Sequence, residues 1–215
     1  MNEKQVDSNV EIAGLDVEDL DGIARIHIAA FPESELGRQG AESVKRNYRF
    51  QFEGPHDLTA IGARLDGALV GFLFGGVFRG STIGFVKREW RYLLLQALRH
   101  PSTLLRPVAL KRALLAVQLL FRRAPAPMAE DPTRVADRSF GVLSIAVDPA
   151  AQGMGIGGLV MEAAIAAARA LDFEQMHLTV HRDNHEAIRF YERFGWTQVP
   201  GDEGGSSRQM VLRLR

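Results

Sequence analysis

Residues 142–196 constrain this chain more than any other stretch, because they read without a break as strand, glycine turn, helix, strand, helix. The apolar run 142–147 is strand-like, and Asp148-Pro149 ends it. Gln152-Gly153-Met154-Gly155-Ile156-Gly157-Gly158 then forms a glycine-rich turn that opens an Ala-rich helix, predicted to reach about Leu171. Glycines let a backbone come close to a ligand. The first N–H groups of a helix have no partner within it, so a turn of this kind aims free donors at an anion, most often a phosphate.

The segments before this stretch predict antiparallel sheet and two helices. Residues 10–13 form a short first strand, and Asp16 stands as N-cap for a helix in which Val17, Leu20, Ile23, Ala24 and Phe31 recur at helical spacing until Pro32. A loop is expected over 33–40 and a second helix over 41–52. Segments 58–65 and 68–77 flank Asp66-Gly67, a strong signal for a tight hairpin. After the central stretch, 196–199 and 209–214 read as a closing antiparallel pair around the flexible turn 201–207. The fold class is therefore a mixed α/β domain spanning 1–215, with a strongly twisted central sheet, helices on both faces and a helical insertion between the third and fourth strands.

That insertion, 79–137, reads as two helices, 89–98 and 108–122, joined by a Pro-broken linker and returning through the Pro-rich connector 125–133. Between 85 and 123 nine Lys or Arg residues face the single acid Glu89, although the whole chain balances 26 basic against 26 acidic residues. The segment is a candidate lid, dimer contact or peripheral-membrane patch, and a solvated amphipathic hairpin is the plain alternative.

Two motifs together carry a resemblance. Gln152-x-x-Gly155-x-Gly157 follows a strand ending Ile145-Ala146-Val147-Asp148-Pro149, and Asn184-x-x-Ala187-x-x-x-Tyr191-Glu192-x-x-Gly195-Trp196 follows the next strand. In this order and spacing they resemble the central motifs of the GCN5-related N-acetyltransferases (GNAT), over about 142–196, with a looser match on either side. The resemblance implies transfer of acetyl from acetyl-CoA, as cosubstrate, to a primary amine by direct attack. It further implies that Gln152, Gly153, Met154, Gly155, Ile156, Gly157 and Gly158 hold the coenzyme A pyrophosphate. Main-chain groups of Ile145, Ala146 and Val147 would meet the pantetheine, with Asn184 near the same arm. Tyr191 falls where the family carries a tyrosine that protonates the departing thiolate. Each residue also has a plain reading: Tyr191 as a core aromatic beside Phe190 and Phe194, Asn184 as an N-cap, and the glycines as a tight turn.

The base is open. Relatives that acetylate protein N-termini often carry a Glu twelve residues before the acid, and Thr179 occupies that position here. His181, two residues on and so on the same strand face, Glu33, Glu35 and a water chain are the candidates.

Composition excludes several classes. No cysteine is present, which removes disulfides and Cys-based zinc sites and suits a cytoplasmic protein. His181 and His185 lie four apart but across a strand-to-helix break, so no metal is expected. Zero formal charge argues against a nucleic-acid binder, and no apolar run is long enough for a membrane span or signal peptide. Two alternatives stand beside acyl transfer. Glycines 153, 155 and 158 satisfy GxGxxG, which suggests a dinucleotide-binding oxidoreductase, though 148–151 separate the turn from its strand and no acid ends the next strand. A non-catalytic coenzyme A-binding module is the other.

Overall fold

The computed structural model describes residues 10–79, 88–92, 95, 139–199 and 205–214. Its backbone groups into two units, one of residues 1–78 and 133–215 and the other of 79–132. The first carries seven strands: β1 Val10–Gly14, β2 Asp57–Leu65, β3 Ala68–Val77, β4 Ser139–Val147, β5 Gln175–His181, β6 Thr197–Gln198 and β7 Ser207–Arg213. Five helices join them: α1 Leu20–Ala30, α2 Glu35–Arg38, α3 Ala41–Glu53, α4 Ile156–Ala170 and α5 His185–Arg193. The strands form one mixed sheet in the order β1-β2-β3-β4-β5-β7-β6.

Local chemistry accounts for most of these boundaries. Asp66 and Gly67 both take positive φ, 51° and 81°, which is the primed turn that matches the twist of β2 and β3. Asp16 accepts from the Glu18 amide while its own amide donates to Asp19, closing a capping box around a 3₁₀ turn, Val17–Asp19, ahead of α1. That extra turn corrects one expectation. It swings Val17 out to 46% exposure, while Leu20, Ile23 and Ala24 go into the core as the spacing predicts. The expected loop 33–40 also holds structure, since the Ser34 hydroxyl accepts from the Gly37 amide at 2.9 Å and starts the single-turn helix α2.

The two faces of the sheet are covered differently. On one, α4 and α5 bury Ile156, Val160, Met161, Ala164, Ile188 and Tyr191 in a cluster with Phe140, Met176, Leu178 and Trp196. On the other, α1 and α3 bury Ile23, Ile26, Val44 and Tyr48 against Phe72, Phe74 and Ala146. Tyr48 meets Phe72 edge-on at 5.5 Å and Phe74 at 4.6 Å, the offset geometry that aromatic quadrupoles favour. Of the strand pairs in this sheet, β4–β5 is the parallel one. A doubly wound dinucleotide fold needs a run of parallel strands, so the GxGxxG reading lacks its scaffold among the described residues.

Of the predicted insertion helices, 88–92 and 95 are described and helical. Trp90 and Leu95 are exposed there, and the Arg91 guanidinium lies 5.8 Å from the Trp90 ring centroid. The rest of the lid, dimer and membrane expectation for 85–123 lies outside the described residues, as does the Pro-rich connector.

Candidate active site

Strands β4 and β5 pair over a short distance and then part. Ser139, Phe140 and Gly141 oppose Gln175, Met176 and His177. Beyond that row β4 continues to Val147 paired to β3, while β5 continues to His181 paired to β7. The edge of β4 from 142 to 147 thus faces a cleft rather than a neighbouring strand, and its backbone donors and acceptors are available to an extended ligand.

Within that edge the register slips. Phe74 of β3 opposes Ser144 but Gly75 opposes Val142, so Leu143 is an inserted residue, a β-bulge. Side-chain parity confirms it. Phe140 and Val142 pack on the α4 side, and after the bulge so do Ile145 and Val147, whereas Ala146 packs on the α1–α3 side. Leu143 itself is 42% exposed at the cleft.

At the far end of β4, Asp148 terminates the strand. Its carboxylate accepts from the Ala150 amide at 3.0 Å and pairs with Arg25 of α1, whose other nitrogen reaches the Leu69 carbonyl at 2.7 Å. The Ala150 amide first, and then Arg25, hold this carboxyl below its usual range. Asp148 therefore fixes the direction in which the chain leaves the sheet. It enters a 3₁₀ turn, Pro149–Ala151, and then the glycine turn.

Gly153 and Gly155 both sit at φ +80°, and a Cβ on either would meet nothing within 4 Å. Gly155 is the N-cap of α4, and the first helical amides to turn back, Gly158 and Leu159, both donate to its carbonyl. Gly155 gives this 15-residue helix no side-chain cap, so its earlier amides are donors of the kind that an anion can take up. Ile156 is 1% exposed and anchors the turn, so it can offer a ligand its backbone only. Met154 packs on the same core, Gln152 is exposed, and a Cβ built on Gly157 or Gly158 would meet Phe190 or Phe194 of α5 at ordinary contact distances of 3.6 and 3.7 Å.

Helix α5 begins where its sequence says it should. Asn184 Oδ1 accepts from the Ala187 amide at 3.0 Å, so the capping role of Asn184 is realised. One side of α5 turns inward with Ile188 and Tyr191. Tyr191 lies between Phe190 and Trp196, 8% exposed, and burial pushes its phenol up to about 12. Its proton is thus retained throughout the neutral range.

The candidate bases are scattered. Glu33 and Glu35 both pair with Arg38 at the protein surface, and His181 is exposed at the end of β5 with Asp183 3.6 Å away. Thr179 is exposed on the same face of β5 as His181. Among the described residues no three His, Asp or Glu side chains gather as a metal site, and no helix is long and apolar enough to cross a membrane.

Two polar groupings were not anticipated from sequence. On the α1–α3 side of β4, Ser144 Oγ lies 3.0 Å from the Tyr48 hydroxyl, which lies 3.0 Å from His27 Nδ1. Burial pushes the Tyr48 phenol up and the His27 imidazole down, so both are neutral inside the fold. At the floor of the cleft, Ser139 Oγ lies 2.7 Å from His177 Nδ1, and burial lowers the basicity of that imidazole as well. His177 shares its strand face with Thr179 and His181, which is the one sequence signal that pointed near it.

Comparison with known proteins follows the same lines. A family model described as Acetyltransferase (GNAT) family matches residues 121–196. Mycothiol acetyltransferase of Geodermatophilus obscurus is 39% identical over 57 residues, 26% of this chain and 18% of that protein. The mycothiol acetyltransferase of Actinosynnema mirum is 35% identical over 71 residues, 33% of this chain and 24% of that protein. The matches thus span less than a quarter of either curated relative. Solved structures extend the likeness to the whole fold. The PaiA N-acetyltransferase of Thermoplasma acidophilum in complex with coenzyme A superposes with TM-score 0.59 at 16% identity, covering 95% of this chain and 99% of that one. YncA of Salmonella typhimurium, a putative acetyltransferase with its cofactor acetyl-CoA, gives 0.57 at 16% identity, covering 96% and 94%. The ribosomal-protein-S18-alanine N-acetyltransferase of Escherichia coli gives 0.56 at 15% identity, covering 95% and 94%. The family model is thus matched over 121–196, and the described strands and helices share the fold of these solved acetyltransferases.

Proposed function

We propose that this protein is an acyl-CoA-dependent N-acyltransferase that moves acetyl from acetyl-CoA to a primary amine by direct attack. The observation that carries the reading is the continuity of one cleft. The unpaired β4 edge runs from the bulge at Leu143 to Val147, and the chain then passes through Asp148 into the glycine turn at the head of α4. A thioester on a long pantetheine arm fits such a path. Its pyrophosphate would rest on the amides that follow Gly153 and Gly155, and its amide groups would bond main-chain groups of Ile145, Ala146 and Val147.

In the reaction the amine lone pair attacks the thioester carbonyl and an N–C bond forms. Charge then develops on the carbonyl oxygen. When the C–S bond breaks, the thiolate takes the phenolic proton of Tyr191, and the nitrogen gives up its surplus proton to a base. Tyr191 suits the acid role in that its phenol keeps its proton at neutral pH and so has one to give as the sulfur leaves. Phe190 ties this helix to the turn, touching both the Gly157 position and Tyr191. The alternative of a non-catalytic coenzyme A-binding module predicts tight coenzyme binding without amine-dependent thiol release. The chain's lack of cysteine supports a cytoplasmic setting.

The test is calorimetric titration of acetyl-CoA into the full chain and into Gly155→Val, followed by thiol release across peptide N-terminal, lysine, amino-sugar and polyamine acceptors. A β-branched side chain at φ +80° is strained and fills the space meant for the anion, so affinity should fall at least about tenfold. A folded Gly155→Val protein with unchanged affinity excludes the cradle. Thiol release with none of the amines excludes the transferase reading.

A further inference from the structure

Resting on the acyl-transfer reading above, we propose that His177 is the general base, held by Ser139 and taking the amine proton at Nε2 through one bridging water. The argument is one of placement. Gly141–His177 is the last paired row before β4 and β5 separate, so His177 stands on the floor of the cleft. Its imidazole lies along β4. Nδ1 is 2.7 Å from Ser139 Oγ, while a Cβ built on Gly141 would fall 3.0 Å from Nε2 and 3.1 Å from Cε1. The ring therefore spans from Ser139 to Gly141, with Nε2 at the end nearer the bulge. Glycine at 141 is what leaves room for it. Leu143 follows two residues further along, about 7 Å at the rise of a strand, a span that one bridging water would cover.

The chemistry of the pair fits as well. A hydroxyl both donates and accepts, so Nδ1–H can donate to Ser139 Oγ and leave the Nε2 lone pair free. The imidazole is neutral where it is needed, because burial favours its uncharged form. His177 also lies on the α1–α3 side of the sheet, opposite the α4–α5 side that holds Tyr191. Base and acid then serve different atoms, the attacking nitrogen and the departing sulfur, from the two faces of the sheet. Nε2 accepts the proton that leaves nitrogen as the N–C bond forms, Tyr191 gives its proton to sulfur as C–S breaks, and solvent restores both groups. The titratable and charged groups on the face of His177, among the described residues, are Arg213 on β7, His181 on β5 itself, Tyr48 and His27 from the helices, and His56 before β2.

The test uses the full chain and whichever panel amine gives the fastest thiol release, with kcat measured from pH 5 to 9. His177→Gln should lower kcat by about 10²-fold and abolish the acid limb of the profile, with acetyl-CoA affinity within about twofold of the parent. His177→Ala should regain rate on addition of imidazole, and Ser139→Ala should keep the limb with a smaller loss of rate. If His177→Gln retains the parent's rate and acid limb while Tyr191→Phe does not, the inference falls and the acyl-transfer reading stands. If His177→Gln loses rate but keeps the limb, and imidazole does not rescue His177→Ala, the residue is structural and the inference falls too. A parent protein that releases thiol with no amine overturns both.

Discussion

Tyr48→Phe isolates a buried polar bridge between α1, α3 and β4. The Tyr48 hydroxyl bridges His27 Nδ1 and Ser144 Oγ at 3.0 Å on each side, and Tyr48 is only 2% exposed. The substitution keeps the ring and its contacts with Phe72 and Phe74 and deletes only the bridge. Each neutral hydrogen bond contributes about 1 kcal/mol net, and stranding the buried His27 nitrogen adds a desolvation cost, while relief of the phenol's own burial subtracts from it. The balance is a loss of about 2 kcal/mol, or a fall in Tm of about 4–8 °C for a domain of this size. Urea unfolding followed by circular dichroism measures it, and an unchanged slope would locate the effect in stability rather than in the extent of unfolding. Ser144→Ala removes one link and should cost about 1 kcal/mol, with a double variant close to Tyr48→Phe alone, because the two changes share a bond. A Tyr48→Phe protein within about 0.5 kcal/mol of the parent, or strict additivity with Ser144→Ala, would refute the bridge as a stabilising unit.

Two other outcomes follow from the same geometry. Tyr191→Phe should lower turnover by about 10²-fold, leaving acetyl-CoA affinity and unfolding midpoint nearly unchanged, because the ring stays packed between Phe190 and Trp196 and only the proton donor is lost; wild-type turnover under chemistry-limited conditions excludes the role. His27, His56 and His177 are all held below the ordinary histidine value by burial, so the unfolded chain binds more protons than the native one once pH drops through about 6.5. Stability should therefore be full above that pH and decline below it, and urea midpoints that stay flat between pH 7 and 5 would contradict the burial of these rings.

Much of the fold could be read from local signals because local chemistry sets it. The Asp66-Gly67 turn, the glycines ahead of α4 and the Asn184 cap each act within a few residues, and each lies where its sequence implies. The pairs that define the floor of the cleft do not. Ser139 and His177 are 38 positions apart, Tyr48 and Ser144 are 96 apart, and neither member of either pair carries a pattern that names the other. The bulge is hidden for a different reason. Val142 to Val147 is an almost uniformly apolar run, so shifting its side chains by one residue leaves no trace in hydrophobic alternation. Only the packing shows the shift, with Val142 and Ile145 on one face although their numbers differ by three.

That single inserted residue gives the cleft its two-sided character. Without it, the residues after position 143 would keep the alternation of Phe140 and Val142, and Ser144 would turn toward α4 instead of meeting Tyr48. Ile145 and Val147 would turn the other way, away from the helix that follows the glycine turn. With it, the α4 side of β4 is apolar through to the glycine turn, while the α1–α3 side carries Ser139, the imidazole of His177 and Ser144 in succession. A thioester and an amine differ in just this way: one brings a long arm that needs backbone partners and a phosphate site, the other needs a place to leave a proton. On the proposed reading the bulge separates those requirements onto two faces of one strand, so that a short stretch of β4 and one row of β5 would carry the site.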